Sequence, residues 1–135
     1  MKENFDTSVL PAAARVNSFN GADILNRFGR GMLLYVEVLS TDLATKTLDV
    51  KVQGKIPGTT GYYDLVSSTG GNVAFAQISS SSGVGKRQLA VYPGYTYTEG
   101  IAVGAVIPRV WRLVYTLGGN TSQSMNFRAG ASHIL

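Results

Sequence analysis

The chain lacks cysteine altogether and contains a single histidine, His133. The absence of thiols excludes disulfide bonds, thiol catalysis and thiolate metal ligands. One imidazole cannot form the zinc sites that proteins build from several His or Cys ligands. We therefore expect no catalytic residue, no metal site and no cofactor, and we interpret His133 as a residue of a terminal strand.

Charged residues are scarce, at 15% of the chain against about 25% in an average protein. The 8 acidic residues are dispersed along the sequence and form no calcium-binding loop. Only a carboxylate pair assembled by the fold, as in a glycosidase, stays open as an enzymatic alternative. We expect a non-enzymatic protein, whose sparsely charged surface suits either coverage by neighbouring subunits or a polar β-sandwich.

The net charge is +4, but the 12 cationic residues are scattered. Surfaces that bind nucleic acid usually cluster their cations, so we predict no direct contact with nucleic acid. The longest apolar runs, 32–36 and 101–107, are far shorter than the roughly 20 residues that span a bilayer. The first residues have mixed charge and no following apolar run, so we expect neither a signal peptide nor a membrane protein.

Residues that favour β-strands dominate what is present. Val, Ile, Thr and the aromatic residues make up about a third of the chain, and Gly adds 16 residues. Apolar and polar residues alternate in 47–53, 109–117 and 123–131, which is typical of half-buried strands. Segment 31–39 is apolar on both faces except at Glu37, which indicates a central strand.

Weaker strand patterns complete the prediction. They occur at 62–67, 73–79 and 86–92, and a first strand near 7–16 contains Pro11, which favours an edge position. Residues 22–28 fit one short helical turn. Since 135 residues fit one domain, we predict a single all-β domain over 1–135, an antiparallel β-sandwich of jelly-roll or Ig-like type with about eight strands.

Tyrosines cluster around two of the predicted loops. Tyr62 and Tyr63 form one group, and Tyr92, Tyr95 and Tyr97 form the other. Tyrosine is favoured at protein interfaces because it contributes a large contact area and a hydroxyl group at low entropic cost. The same residues suit packing within the sheets or a platform for a sugar, so a carbohydrate- or host-binding module stays open.

Five segments in order resemble a family of small all-β virion proteins of tailed bacteriophages. They are 30–38 (RGMLLYVEV), 48–54 (LDVKVQG), 61–65 (GYYDL), 89–94 (LAVYPG) and 107–112 (IPRVWR). The resemblance covers roughly residues 9 to 131 and includes no catalytic residue. It implies a virion structural protein, with a capsid decoration (cement) protein as the first expectation and a tail or neck component as the alternative.

The resemblance also implies partners and a location. The expected partner is the major capsid protein or another virion protein, and the chain itself is expected to form a homo-oligomer, a dimer or a trimer. We expect assembly in the bacterial host cytoplasm, which the lack of cysteine suits, and a final position on the capsid exterior.

We predict the contacts with these partners from position and composition. Residues 1–11 are expected to form an N-terminal docking arm, and the basic charge is expected to steer the chain onto an acidic capsid surface. The predicted interface residues are Lys2, Phe5, Val9, Tyr62, Tyr63, Tyr95, Tyr97, Arg27 and Arg30.

Overall fold

Eleven strands make up the fold in the computed structural model, which describes residues 5–15, 17–27, 29–41, 46–68, 70–79, 84–119 and 124–134. The strands are β1 (Phe5–Arg15), β2 (Phe19–Asn20), β3 (Ile24–Leu25), β4 (Gly31–Thr41), β5 (Thr47–Lys55), β6 (Tyr62–Asp64), β7 (Ile78–Ser79), β8 (Gly85–Val91), β9 (Ala102–Val103), β10 (Val110–Gly118) and β11 (Met125–Ile134).

The strands form two sheets packed face to face. The first sheet has the order β1-β11-β4-β8-β9, and the second has the order β2-β10-β5-β6, with β3 paired to β10 and β7 paired to β5. All pairs are antiparallel except β8 with β9. The predicted all-β sandwich is confirmed, and β4 is the central strand of its sheet as expected.

The strand count differs from the predicted eight. Each predicted strand is present, although 62–67 is reduced to β6 and 73–79 to β7. The three additional strands, β2, β3 and β9, have two residues each. A two-residue strand is too short to produce a periodic pattern in the sequence, so only the structure reveals it.

The predicted helical turn at 22–28 is wrong. The Gly21 N–H donates to the Leu113 carbonyl at 2.7 Å, and the Asn26 N–H donates to the Arg109 carbonyl at 2.7 Å. Between these two bonds, β3 pairs with the first residues of β10. Because the segment bonds outward to a neighbouring strand, its backbone cannot close the internal bonds of a helical turn.

The edge position predicted from Pro11 is confirmed. β1 lies at one edge of the first sheet and pairs only with β11, and its register shifts between Leu10 and Ala13. Proline has no N–H to donate to a second neighbour. An irregular edge of this kind also discourages pairing with the edge of another chain.

Two turns have the backbone that their Pro-Gly sequences favour. After Pro57, Gly58 has φ 75°, and after Pro93, Gly94 has φ 91°. Positive φ at the third residue is the requirement of a type II turn, which glycine meets without strain. The closing bonds run from Thr59 N–H to the Ile56 carbonyl at 3.2 Å and from Tyr95 N–H to the Tyr92 carbonyl at 3.1 Å.

The core lies between the two sheets and consists of the apolar halves of the alternating strands. Ten of the alternating apolar residues of β5, β10 and β11 are buried: Leu48, Val50, Val52, Trp111, Leu113, Tyr115, Met125, Phe127, Ala129 and Ala131. Leu117 packs against this core while partly exposed. The period-two pattern therefore identified the buried face of each long strand correctly.

A seam between β10 and β11 connects the two sheets through polar and aromatic contacts. The Trp111 indole N–H donates to His133 Nε2 at 3.1 Å, and the rings of Tyr115 and Phe127 meet edge to face at 5.1 Å. His133 is only 2% exposed, so this hydrogen bond is shielded from water. His133 lies in the last strand, as expected, and serves there as a partner of the single tryptophan.

We predict that the bond between Trp111 and His133 contributes about 1 kcal/mol of coupling to folding. The test is a double-mutant cycle of Trp111→Phe, His133→Phe and the combined variant, measured by urea denaturation. Each single variant leaves an aromatic ring in place but removes one partner of the bond. A coupling energy within error of zero would show that the seam depends on packing alone.

Candidate functional site

A polar network covers the outer face of the second sheet. The Tyr62 hydroxyl donates to Asp23 Oδ1 at 2.6 Å, and Lys55 Nζ donates to Asp23 Oδ2 at 3.1 Å. The Arg112 guanidinium lies over the Tyr62 ring, 3.4 Å from its centroid, which is favourable stacking geometry.

The same network continues across the sheet from Arg112. Arg112 donates twice to Gln53 Oε1, at 2.8 and 3.0 Å, and the Gln53 amide donates to Asp64 Oδ1 at 2.9 Å. Lys51 completes the chain with an ion pair to Asp64 at 3.0 Å. Each charged group in this network therefore has a hydrogen-bond partner within it.

These contacts shift three pKa values in directions that the geometry explains. The hydrogen bond from Tyr62, followed by the contacts with Lys55, holds the pKa of Asp23 below its ordinary 3.8, although partial burial opposes this. The bonds from Gln53 and Lys51 lower the pKa of Asp64. The hydrogen bond to Asp23 raises the pKa of Tyr62, because an ionised phenol could not donate it.

Acid should weaken this network in a way that depends on Tyr62. Asp23 with its lowered pKa stabilises the fold above pH 3.8, and this contribution is lost as the pH falls through the folded-state value. We expect Tyr62→Phe to lose less stability than the wild type between about pH 5 and about pH 2.5. Urea denaturation at several pH values measures this.

The matched control is Tyr63→Phe, because the Tyr63 hydroxyl makes none of these bonds. We expect its stability to follow the wild-type pH dependence. Equal acid sensitivity of wild type and Tyr62→Phe would mean that the hydrogen bond to Asp23 has no energetic weight in solution.

The outer face of the first sheet has a different composition. Across it, one row of residues is Ser132, Leu33, Ala90 and Ala102, the next is Gly130, Tyr35 and Gln88, and the third is Arg128, Glu37 and Lys86. Most of these side chains are small or apolar. Tyr35 is 42% exposed and Leu39 is 37% exposed, so β4 presents large apolar groups to its surroundings.

A groove crosses this face beside Tyr35. It has a volume of about 510 Å³ and runs between Leu10–Ala12 of β1 and the row that contains Glu37. Glu37 pairs with Arg128 at 2.8 Å and with Lys86 at 3.7 Å. One acid between two cations leaves this end of the groove with a net positive charge. We call the face formed by β1, β11, β4 and β8 the docking face.

The structure places the N-terminal part of the predicted interface within the sandwich. Residues 5–11 form the first part of β1 and pair with β11, and Phe5 belongs to this strand. Val9 is buried in the core at 7% exposure. Its assignment to an interface, like that of the other residues, stays a prediction. Lys2 lies outside the described residues.

The predicted tyrosines have separate surroundings. Tyr62 belongs to the polar network, whereas Tyr63 lies over Gly54, beside Pro108, and is 40% exposed. Tyr95 is 43% exposed and pairs with Tyr92 at 5.5 Å. Tyr97 is half-buried and lies against Gly71. In the described parts of the chain, no ring contact joins the two tyrosine groups into one platform.

Arg27 and Arg30 lie between β3 and β4, and both are exposed. Tyr35 and Leu39 are the surface residues that the sequence reasoning missed. The sequence did indicate an exposed apolar surface here, because both faces of 31–39 are apolar. We explained both faces by a central position of this strand in its sheet. The second apolar face of β4 forms the middle of the docking face.

The search for a metal site, a membrane-spanning helix and related proteins gives no match. Within the described ranges, no three His, Asp or Glu residues come close enough to hold a metal ion. That part of the chain also contains no helix long and apolar enough to span a membrane. No protein-family model, no curated protein and no solved structure matches the chain.

Proposed function

We propose that the chain is a non-enzymatic virion structural protein, a capsid decoration protein that binds major capsid protein subunits through the docking face. The observation that carries this proposal is the contrast between the two outer faces. One face is occupied by its own polar network, whereas the other exposes Tyr35, beside Gly130, and Leu39 further along β4. Exposed apolar surface of this kind marks binding sites for other proteins.

The size of the docking face suits a stable protein contact. Its four strands, spaced about 4.8 Å apart and about ten residues long, cover roughly 20 by 33 Å. This is the same order as the roughly 800 Å² that each partner buries in a standard interface. Gly130 beside Tyr35 permits close approach of a partner backbone on that side, with the aromatic ring as a central anchor.

The proposed mechanism is mechanical reinforcement of the capsid. A chain that bridges neighbouring capsid subunits adds buried interface that must separate before the shell ruptures. Because the contact repeats over the lattice, modest affinity at each site gives strong total reinforcement, and bridging adds avidity. A dimer or trimer of the chain would present several docking faces at once, which suits the junctions between subunits.

The number of copies in a particle tests this proposal. Particles are purified from cells whose genome encodes the chain, and the chain is counted against the major capsid protein by quantitative mass spectrometry. We expect one copy per capsid subunit or a simple fraction of that. A few dozen copies would indicate a component of the tail or neck. Absence from particles would contradict a virion role and favour a free binding module.

Tyr35 tests the docking face within that function. We expect Tyr35→Ala to weaken binding to particles that lack the chain by about tenfold or more, because it removes the proposed central anchor. Binding is measured by co-sedimentation with particles from cells in which the gene is deleted.

Two variants serve as controls for Tyr35→Ala. Tyr35→Phe keeps the ring, and Thr116→Ala changes an exposed residue on the opposite outer face; both should bind like the wild type. Equal binding by Tyr35→Ala, or a loss of binding by Thr116→Ala, would place the contact elsewhere on the molecule.

A further inference from the structure

A second groove lies at one end of the sandwich, away from Tyr35. It has a volume of about 610 Å³ and is lined by Leu25, Asn26, Arg27, Ile107 and Arg109. These residues come from two chain segments, one that continues β3 and one that leads into β10. The groove therefore brings together two arginines that are distant in sequence.

Backbone and side-chain bonds hold the walls of this groove in place. The bond from Asn26 N–H to the Arg109 carbonyl, at 2.7 Å, joins the two segments directly. The Asn26 side chain accepts from the Gly29 N–H at 2.8 Å and donates to the Gly29 carbonyl at 3.0 Å. Bonds within the chain thus hold the backbones that carry Arg27 and Arg109, which lowers the entropic cost of binding a ligand there.

Both guanidinium groups lack an acidic partner among the residues that the structure describes. Arg27 and Arg109 are exposed, and neither takes part in an ion pair there. The contrast is with Lys51, Lys55, Lys86 and Arg128, each of which pairs with an aspartate or glutamate. Two unpaired guanidinium groups in one groove suit a carboxylate, which arginine binds through two parallel hydrogen bonds.

Beside the two arginines and Asn26, the lining has an apolar part, which narrows the class of ligand. Ile107 is buried at 6% exposure, whereas Leu25 is 40% exposed, so apolar surface lies beside the two cations. We propose that this groove binds a peptide segment of a partner protein in which an acidic side chain neighbours an aliphatic one. The proposal goes beyond the capsid role, because it holds for any partner protein with such a segment.

Charge distribution favours a peptide over a nucleic acid as the occupant. A nucleic-acid surface requires a run of unpaired cations that follows successive phosphates. Here the paired cations of β5, β8 and β11 each lie against an aspartate or a glutamate on one of the two outer faces. The two arginines form a local site that fits one or two carboxylates.

Binding of a defined peptide to the full chain tests this inference. The probe is a capped peptide of alternating Glu and Leu, titrated into ¹⁵N-labelled protein and followed by two-dimensional NMR. We expect shifts centred on the amides of Asn26, Arg27 and Arg109. A peptide with Gln in place of Glu should bind at least about fivefold more weakly, since it lacks the charge that the guanidinium groups recognise.

Matched variants locate the site. Arg27→Gln and Arg109→Gln should each weaken binding by about fivefold or more. Arg30→Gln should bind within about twofold of the wild type, because Arg30 is exposed on the same connection but does not line the groove. All three changes are on exposed side chains, and an unchanged pattern of amide resonances would confirm that each variant is folded.

Three results would overturn the inference. They are the absence of shifts at millimolar peptide, equal binding of the Gln peptide, and equal binding of inorganic phosphate at the same residues, which would indicate a general anion site. Because the experiment uses the isolated chain, its result does not depend on the proposed virion role.

Discussion

The contact between β10 and β11 is the constraint on which the rest of the sandwich depends. These strands belong to different sheets, and their inner faces meet along the whole seam from Trp111 and His133 to Tyr115 and Phe127. Between these two contacts, β11 carries the buried alanines 129 and 131. Every other strand pairs with β10, with β11, or with a strand that is connected to one of them through the sheet. Alternation along each strand then decides which of its residues face the core.

The difference between the two outer faces follows from that arrangement. In the second sheet, the positions that face away from the core bring Lys51 and Gln53 beside Asp64. They also bring Arg112 beside Gln53 and Tyr62 beside Asp23. In the first sheet, the corresponding positions carry exposed Tyr35 and Leu39. The fold therefore satisfies the polar groups of one face internally and leaves apolar surface on the other, which suits a chain that is covered on one side.

The sequence predicted most of the fold because the long strands alternate strictly. The inward residues of β5, β10 and β11, and the edge position of β1, were all readable from spacing and from Pro11. The candidate surfaces were much less predictable, because they are assembled from distant segments: Asp23 meets Tyr62 across the fold, and Arg27 shares a groove with Arg109. Val9 was also hard to predict. It is buried, but it lies in an irregular edge strand whose register no periodic pattern reveals.

The central claim is that the chain meets its partner with the outer face of the first sheet. Hydroxyl-radical footprinting of the free and particle-bound chain, read by mass spectrometry, tests it most directly, because the two outer faces each carry a tyrosine. We expect binding to protect Tyr35 from oxidation and to leave the oxidation rate of Tyr62 unchanged. Protection of Tyr62 with Tyr35 still reactive would contradict it.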